Sequence, residues 1–374
     1  MAYRIGFVME HTLGHVTHAQ NFRASVDKDP DVEATWIPVA FYQPDHWHKT
    51  PLVRGNWTLK ASLRARRQVE AVLRAHPLDA LFFHTQVTAL FARGLMRRVP
   101  TIVSMDATPI NFDSIGFPYN HIPSPYKQFE ALKNALNRRT FNGARHLITW
   151  HEWGKQSLQT DYGVPADKIQ VIPPGIDLDR WNFERRRGGG LVRLLFVGGD
   201  FRRKGGEILM ASYARDLMDR CTLDIVTKDD VDINGLRGVT VHRGFNANTA
   251  DLLQLYASSD VFVFPTFADT LPLVVMEAMA SGLPVITTTV GALREEIDDG
   301  VTGLMVPTAD VDALSHAVLR LVDDIQLRRR MGCEARRVAC ERFNAAKNYP
   351  QIVDLCKRSV DEVAAARRAQ RGRN

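Results

Sequence analysis

Short apolar runs alternate with amphipathic helical stretches along the chain, and this alternation limits the fold more than any other feature. The pattern is typical of parallel sheets whose strands are joined by crossover helices. It predicts an α/β protein made of two doubly wound domains, one in each half. The predicted strands are Arg4–Met9, Thr35–Pro38, Ala80–Phe83, Thr101–Ser104, His146–Thr149 and Gln170–Ile172, then Val192–Val197, Thr222–Val226, Val239–His242, Val261–Phe264, Pro284–Thr287 and Gly303–Val306.

A chain of 374 residues is long enough for two domains with separate cores. Pro173, Pro174 and Gly175 end the first half, and a run of three arginines and three glycines at 185–190 is a polar connector. We therefore predict domains over residues 1–172 and 191–344. A linker over 173–190 joins them, and a last helix with an Arg-rich tail covers 345–374.

The composition is that of a soluble globular protein, with 45% hydrophobic and 24% charged residues. We find no apolar stretch of the roughly 18–20 residues that span a membrane. The N-terminal residues are typical of a first core strand rather than a signal peptide. The four cysteines lack metal-site spacing, which favours reduced thiols. Together these features predict a cytoplasmic protein.

The excess of positive over negative charge is confined to the first half. Residues 1–172 contain 20 Lys and Arg against 14 Asp and Glu, whereas residues 173–374 contain 28 of each. A basic half predicts an anionic partner, such as a phosphorylated substrate, a lipid head group or a membrane surface. A nucleic-acid partner is not predicted, because no recognition motif is present and the second half is neutral.

A basic amphipathic helix is predicted over residues 52–76. A helix of this kind with an aromatic residue can lie on an anionic membrane, but a solvated helix face is the commoner outcome. Both interpretations stay open. The residues concerned are Arg54, Lys60, Arg64, Arg66, Arg67 and Arg74, with Trp57, Leu59 and Leu63 among them.

The segment 261–307 predicts a strand, a loop, a helix, a strand and a second loop. Asp269 lies in the first loop and Glu277 eight positions later in the helix. A helix N-terminus favours a phosphate, and a carboxylate within the helix can accept hydrogen bonds from sugar hydroxyls. Acid pairs at helix starts are common, but Glu277 lies beyond the first turn of a helix predicted to be buried, where it needs a partner. The residues that open the helix are Thr270, Leu271, Pro272 and Leu273.

A second glycine-rich turn follows the strand that ends at Val197. Arg203 and Lys204 lie in this turn, and a helix is predicted to start near Gly206. Glycines let a ligand approach the backbone, and two cations beside a helix start favour a diphosphate. A solvated basic turn is the alternative.

Two places in the first half are candidates for the same site. Gly14 and His15 lie between the first strand and the first helix, where a glycine lets the loop reach a diphosphate or an acceptor. His11, His15 and His18 have a spacing that resembles a metal site. No fourth ligand or second carboxylate is nearby in the sequence, however, which argues against a bound metal. Asp106 follows a strand end, where ligand sites of parallel sheets lie, although an Asp capping the next turn carries equal weight.

These segments together resemble the retaining glycosyltransferases of the GT-B fold, of the bacterial "group 1" type. The resemblance covers nearly the whole chain, and its last five motifs are specific as an ordered set. The motifs are TLGHVTHAQ, WHEWGKQSL at 150–158, VIPPGIDLDRW at 171–181, FVGGDFRRKGG at 196–206, the acid pair at 269 and 277, and GALREEIDDGVTGLMVP at 291–307. The resemblance implies two α/β domains that face each other across a cleft, with the acceptor on the first and a nucleotide sugar on the second. It also implies that the final helix crosses back to the first domain.

By this resemblance Glu277 would hold the ribose hydroxyls, Asp269 the transferred sugar, and the backbone of 270–273 the sugar and phosphate. Arg203 and Lys204 would neutralise the departing diphosphate without a metal. His15 or His18 would lie near the donor, and a histidine that merely starts the helix is the alternative. Asp106 would face the reacting sugar as an acceptor base or as a stabiliser of positive charge.

Three positions depart from the family pattern. Asp269 stands where a Glu is usual, Gly199 where many members have an Arg, and His151 where a Ser is frequent. The implied function is transfer of a hexose from a nucleoside diphosphate sugar to a hydroxyl of a sugar, lipid-linked or small-molecule acceptor, with retention of anomeric configuration and no required cofactor. The alternative is a GT-B protein that binds nucleotide sugars without catalysis. Either would be cytoplasmic, with peripheral contact to the inner face of the membrane left open.

Overall fold

The computed structural model describes residues 2–12, 14–41, 56–182 and 190–371. The chain forms two compact units. Unit 1 comprises residues 1–112, 123–175 and 345–374, and unit 2 comprises 113–122 and 176–344. Most of the predicted polar connector at 185–190, the residue Arg54 and the end of the Arg-rich tail lie outside the described residues.

Unit 1 is built around a six-stranded parallel sheet in the order β2-β1-β3-β4-β5-β6. Sequential apolar runs become neighbouring parallel strands because helices carry the chain back between them. The strands are β1 (Tyr3–Glu10), β2 (Val32–Val39), β3 (Ala80–His84), β4 (Thr101–Met105), β5 (His146–Thr149) and β6 (Ile169–Val171). The helices are α1 (His15–Val26), α2 (Trp57–Ala75), α3 (Gln86–Ala89), α4 (Arg93–Met96), α5 (Pro109–Ile115), α6 (Lys127–Gly143) and α7 (Glu152–Thr160). The last three residues of α5 belong to the segment 113–122 of unit 2.

The sheet of unit 1 is covered on both faces. Successive side chains of a strand point to opposite faces, and in these strands both sets include buried apolar residues. Ile5 and Phe7 belong to a core that includes α1 residues and Tyr349. Val8 belongs to a separate core on the other face, which includes α2 residues. The last helix of the chain, α14 (Ala345–Arg371), belongs to unit 1 and packs on α1.

Unit 2 contains the second six-stranded parallel sheet, in the order β12-β11-β10-β7-β8-β9. Its strands are β7 (Val192–Val197), β8 (Cys221–Val226), β9 (Val239–His242), β10 (Val261–Phe264), β11 (Val285–Thr288) and β12 (Gly303–Val306). Its helices are α8 (Gly206–Ser212), α9 (Ala250–Ser258), α10 (Leu273–Ala280), α11 (Leu293–Glu296), α12 (Val311–Asp323) and α13 (Ile325–Arg342). The prediction of two doubly wound α/β domains is confirmed.

The segment 113–122 does not follow the predicted domain boundaries. Residues 113–122 belong to unit 2, although the sequence places them within the first half. The guanidinium carbon of Arg203 lies 4.1 Å from the ring centroid of Tyr119, which attaches the segment to unit 2 by a cation–π contact. Arg203 and Tyr119 are far apart in the sequence, so the residues around 113–122 carry no local pattern that predicts this contact.

The basic helix is present as α2, whose small residues Ala61, Ser62 and Ala65 face the core. Arg66 pairs with Glu70 at 2.8 Å, and the Trp57 ring stacks on Phe41 with 5.2 Å between centroids. In the described parts of the chain, every helix is too short or too polar to cross a membrane.

Candidate functional site

The glycine-rich turn after β7 is fixed by close backbone packing. Gly205 has a φ of +82°, and a Cβ atom placed there would lie 1.9 Å from the carbonyl oxygen of Pro265. A side chain at this position is therefore excluded by both conformation and contact. The turn delivers Lys204 to the carboxyl edge of the sheet, immediately before α8.

Lys204 and Asp269 form an ion pair at this edge. The ammonium group donates a hydrogen bond to Oδ2 of Asp269. The two side chains are only 14% and 10% exposed. Burial lowers the pKa of Lys204, and the neighbouring Asp269 carboxylate opposes that change. The structure thus brings together two residues that the sequence predicts for one donor site.

Arg203 is engaged within the protein. Its Nε lies 2.9 Å from Oδ2 of Asp200, and its Nη1 donates to the carbonyl of Ala268 at 2.8 Å. With Tyr119 stacked on the guanidinium, the side chain ties three segments of unit 2 together. Lys204 is therefore the cation of this turn that lies beside Asp269.

The loop that opens α10 is held by a second loop. Gly291 has a φ of +56°, and a Cβ there would lie 2.1 Å from the carbonyl oxygen of Asp269. The backbone N–H of Ala292 donates to the carbonyl of Thr270 at 3.1 Å. The cap position is Pro272. Its hydrocarbon ring has no acceptor atom, so the side chain at this position does not cap the first turn of α10. The helix begins at Leu273, the last of the four residues predicted to open it, and Leu271 is buried just before it.

Glu277 is a buried carboxyl group on α10, with 3% of the residue exposed. It accepts a hydrogen bond from the Tyr256 hydroxyl at 3.2 Å. Burial raises the pKa of Glu277 to about 8, and the Tyr256 hydrogen bond partly offsets this. An ionised carboxylate here is favoured by further donors, which the hydroxyls of a bound sugar or ribose can supply.

Glu296 is a buried carboxyl group close enough to Asp269 to feel its charge, and the sequence analysis did not identify it. It lies at the end of α11 and is 1% exposed, and neither carboxyl oxygen has a hydrogen-bond partner among the described residues. Burial raises the pKa of Glu296 well above its ordinary value, and the Asp269 charge raises it further. Glu296 lies within the motif at 291–307, and this position was the one feature of the sequence that could have marked it as a candidate.

In unit 1 the carboxyl edge of the sheet gathers a second group of ionisable residues. The Nδ1 of His15 lies 3.0 Å from Nε2 of His84. The Nε2 of His15 lies 3.7 Å from a carboxyl oxygen of Glu10 and 3.9 Å from one of Asp106. The structure therefore brings the predicted His15 and Asp106 together and adds Glu10 and His84, which the sequence analysis did not identify.

Glu10 and the histidines of this group differ in their electrostatic surroundings. Burial raises the pKa of Glu10, while His15 and a hydrogen bond from Thr85 at 2.7 Å act in the opposite direction. His18 is buried, and desolvation lowers its pKa to about 3, so it is a neutral core residue. Within the described residues, no three His, Cys, Asp or Glu side chains are arranged to bind a metal ion.

Gly14 is exposed and forms the cap position of α1 with a φ of −64°, which any residue can adopt. A Cβ atom there would meet nothing within 4 Å. Packing among the described residues therefore does not require a glycine at position 14. The space around Gly14, next to His15 in the chain, is open.

His151, one of the departures from the family pattern, has a structural role. Its Nδ1 accepts a hydrogen bond from the Gly154 N–H at 2.9 Å and so caps α7. Its Nε2 then carries the proton and donates to the backbone carbonyl of Asp106 at 2.5 Å. A histidine here both caps a helix and holds the Asp106 backbone.

Comparison with known proteins finds a glycosyltransferase domain in each half of the chain. Residues 192–324 match a sequence model described as Glycosyl transferases group 1, and residues 25–180 match one described as Glycosyltransferase Family 4. The chain is 30% identical over 242 residues to the MMP alpha-(1->4)-mannosyltransferase of Mycolicibacterium hassiacum, covering 62% of the present chain and 58% of the relative. It spans a little over half the length of the first curated relatives that it matches.

Solved structures show that the chain has the GT-B fold. Sucrose-phosphate synthase from Thermosynechococcus elongatus matches with a TM-score of 0.74 and 19% identity, over 97% of this chain and all of that chain. Anabaena HepE in complex with UDP-glucose matches with a TM-score of 0.66 and 18% identity, over 94% of this chain and 98% of that chain.

Proposed function

We propose that this protein is a retaining glycosyltransferase that moves a hexose from a nucleoside diphosphate sugar to an acceptor hydroxyl. The observation that carries the proposal is Glu277, a buried carboxyl group on the helix that opens beside the Lys204–Asp269 ion pair. Among the described residues this carboxyl has a tyrosine hydroxyl as its one hydrogen-bond partner, which leaves it suited to hydroxyl groups of a ligand. The UDP-glucose bound to HepE supports the donor class.

Unit 2 would bind the donor. The ribose hydroxyls donate to Glu277, and sugar hydroxyls donate to Asp269. The diphosphate lies by the start of α10, where backbone N–H groups and the helix dipole favour negative charge. Lys204 turns from Asp269 toward the diphosphate and stabilises the charge that develops as it leaves.

The chemical step is a displacement on the face of the sugar from which the diphosphate departs. The bond from C1 to the phosphate oxygen breaks, and a bond from C1 to the acceptor oxygen forms. The acceptor proton passes to the departing phosphate, which leaves C1 with its original configuration. Asp106 and His15 of unit 1 would bind hydroxyl groups of the acceptor by hydrogen bonds.

The test is a screen of UDP-, GDP- and ADP-hexoses with sugar and lipid-linked acceptors, read by nucleoside diphosphate release and by NMR of the product anomer. We expect release and a retained configuration. Inversion would overturn the mechanism, and the absence of both binding and release would overturn the function. Donor binding without turnover would select the non-catalytic alternative.

An isosteric variant tests the observation that carries the proposal. Glu277→Gln should weaken donor binding by about ten- to hundredfold, because hydrogen bonds to a charged acceptor are lost. Glu207→Gln is the matched control, since this glutamate in the first turn of α8 is exposed. Equal donor affinity in the two variants would remove Glu277 from the site.

A further inference from the structure

A basic pocket of about 530 Å³ lies in unit 1, at the edge of the sheet where strands begin. Thr101 and His146, the first residues of β4 and β5, lie in its wall. Glu10, His84 and Asp106 mark the opposite edge, where strands end. With a rise of about 3.3 Å per residue, five-residue strands separate the two edges by roughly 15 Å. The pocket is therefore distinct from the group around His15.

The lining of the pocket carries an excess of positive charge. Asp167 is the acidic residue in the wall, which also has several cationic side chains. These cations come from four separate segments of unit 1, so the fold and not a local run of sequence collects them. The cations are Arg97, Arg98, Arg145, Lys168 and Arg367.

Few of these cations are neutralised by the protein. Arg145 pairs with Glu362 at 2.5 Å, and the Lys168 ammonium donates to the Asn142 carbonyl at 2.8 Å. Arg97 and Arg98 are exposed, and the structure gives their side chains no ion pair with a described residue. The cations at this pocket outnumber the acids around it, so they repel one another, and a bound anion relieves that repulsion.

His146 gives a second and independent indication of a ligand. Both of its ring nitrogens are shielded from solvent and have no hydrogen-bond partner among the described residues. A buried nitrogen without a partner costs free energy, which a bound anion recovers once the imidazole ring turns toward the pocket. Burial lowers the pKa of His146, and Arg145 and Lys168 act in the same direction.

We infer that this pocket binds a small phosphate-bearing anion with at least two negative charges, either free in solution or as the head group of a lipid. Guanidinium groups match phosphate oxygens in a planar, two-pronged geometry, which favours phosphate over a single carboxylate. The volume exceeds that of one phosphate group and lies in the range of ordinary small-molecule sites. The inference does not depend on the proposed transferase reaction.

Inorganic pyrophosphate is the soluble probe, titrated by calorimetry at fixed ionic strength into the full chain carrying Lys204→Met. That substitution removes the donor-site cation, so binding at the donor site contributes less. The Arg97→Gln/Arg98→Gln variant should bind pyrophosphate at least about tenfold more weakly. The control is Arg329→Gln/Arg330→Gln, an exposed arginine pair on α13 that makes the same charge change elsewhere and should retain the affinity.

A second arm distinguishes the sources of phosphate. Co-sedimentation uses phosphatidylcholine vesicles with and without phosphatidic acid, whose phosphate monoester can carry two negative charges. Pyrophosphate binding without vesicle capture identifies a free phosphate, and capture that pyrophosphate reverses identifies a lipid head group. Failure of both probes to bind overturns the inference. Equal losses in the Arg97/Arg98 and Arg329/Arg330 variants also overturn it, because they indicate attraction by net charge alone.

Discussion

The Lys204 ammonium group donates a hydrogen bond to the carboxylate of Asp269, and both side chains are mostly buried. The two residues are 65 positions apart in the chain. Each follows a strand of the unit 2 sheet, since β7 precedes Lys204 and β10 precedes Asp269. Because β7 and β10 are parallel neighbours, their carboxyl ends meet, and the pair is a direct consequence of the strand order.

Replacement of Lys204 should reduce turnover far more than it alters the fold. Lys204→Met removes the cation that would stabilise the departing diphosphate, so kcat should fall by about 10²–10³-fold. The measurement is nucleoside diphosphate release at a temperature well below the unfolding midpoint. Lys228→Met, at an exposed lysine after β8, should keep normal turnover. Equal turnover in the two variants would exclude this role for Lys204.

Asp269 should set the choice among donor sugars. Asp269→Glu extends the carboxyl by one methylene and restores the residue that is usual in the family. The ratio of kcat/KM for two epimeric hexose donors should change by about tenfold or more, as one methylene does in other pockets. Affinity for the nucleoside diphosphate alone should stay within about twofold. An unchanged ratio, as expected for the exposed Asp251→Glu control on α9, would assign donor choice to other residues.

Glu277 should make the ligand-free protein less stable as pH rises. Its pKa is about 8 in the folded protein, against an ordinary value of 4.5. The folded state therefore holds more protons than the unfolded state in this window, so the contribution to stability is full below pH 4.5 and is lost as pH rises toward 8. Glu277→Gln imitates the protonated form, so its stability should match wild type near pH 5 and exceed it by up to about 4 kcal/mol near pH 8.

Urea unfolding at the two pH values measures this difference. Glu207→Gln, at the exposed site in α8, should differ from wild type by the same small amount at both. A difference between Glu277→Gln and wild type that stays constant with pH would show that the Glu277 carboxyl ionises normally in the folded protein.

The strands were predictable because their signal is local. Apolar residues in short runs must be covered on both faces of a parallel sheet, and His146–Thr149 and Val261–Phe264 have the predicted bounds. The candidate donor site was predictable in part for the same reason. Asp269, the start of α10 and Glu277 lie within one short segment, and Lys204 follows the strand that pairs with β10.

The residues that were missed acquire their properties from distant packing. Glu10 and His84 are the last residues of strands, where a polar side chain was a usable signal, but their grouping with His15 depends on the register of β1 and β3. Glu296 lies in a charged stretch that is typical of a solvent-exposed turn. Its burial is set by the tertiary fold, which no local pattern records.

The turn that carries Lys204 should tolerate no side chain at Gly205. Gly205→Ala combines a φ of +82° with a contact of 1.9 Å to the Pro265 carbonyl oxygen, and should destabilise the protein by about 3–5 kcal/mol. Gly235→Ala is the matched control, because Gly235 has a φ of +75° but no atom within 4 Å of an added Cβ. Its cost should be only the 1–2 kcal/mol or so of left-handed strain. Urea unfolding compares the two, and equal losses would mean that the backbone around Pro265 yields to make room.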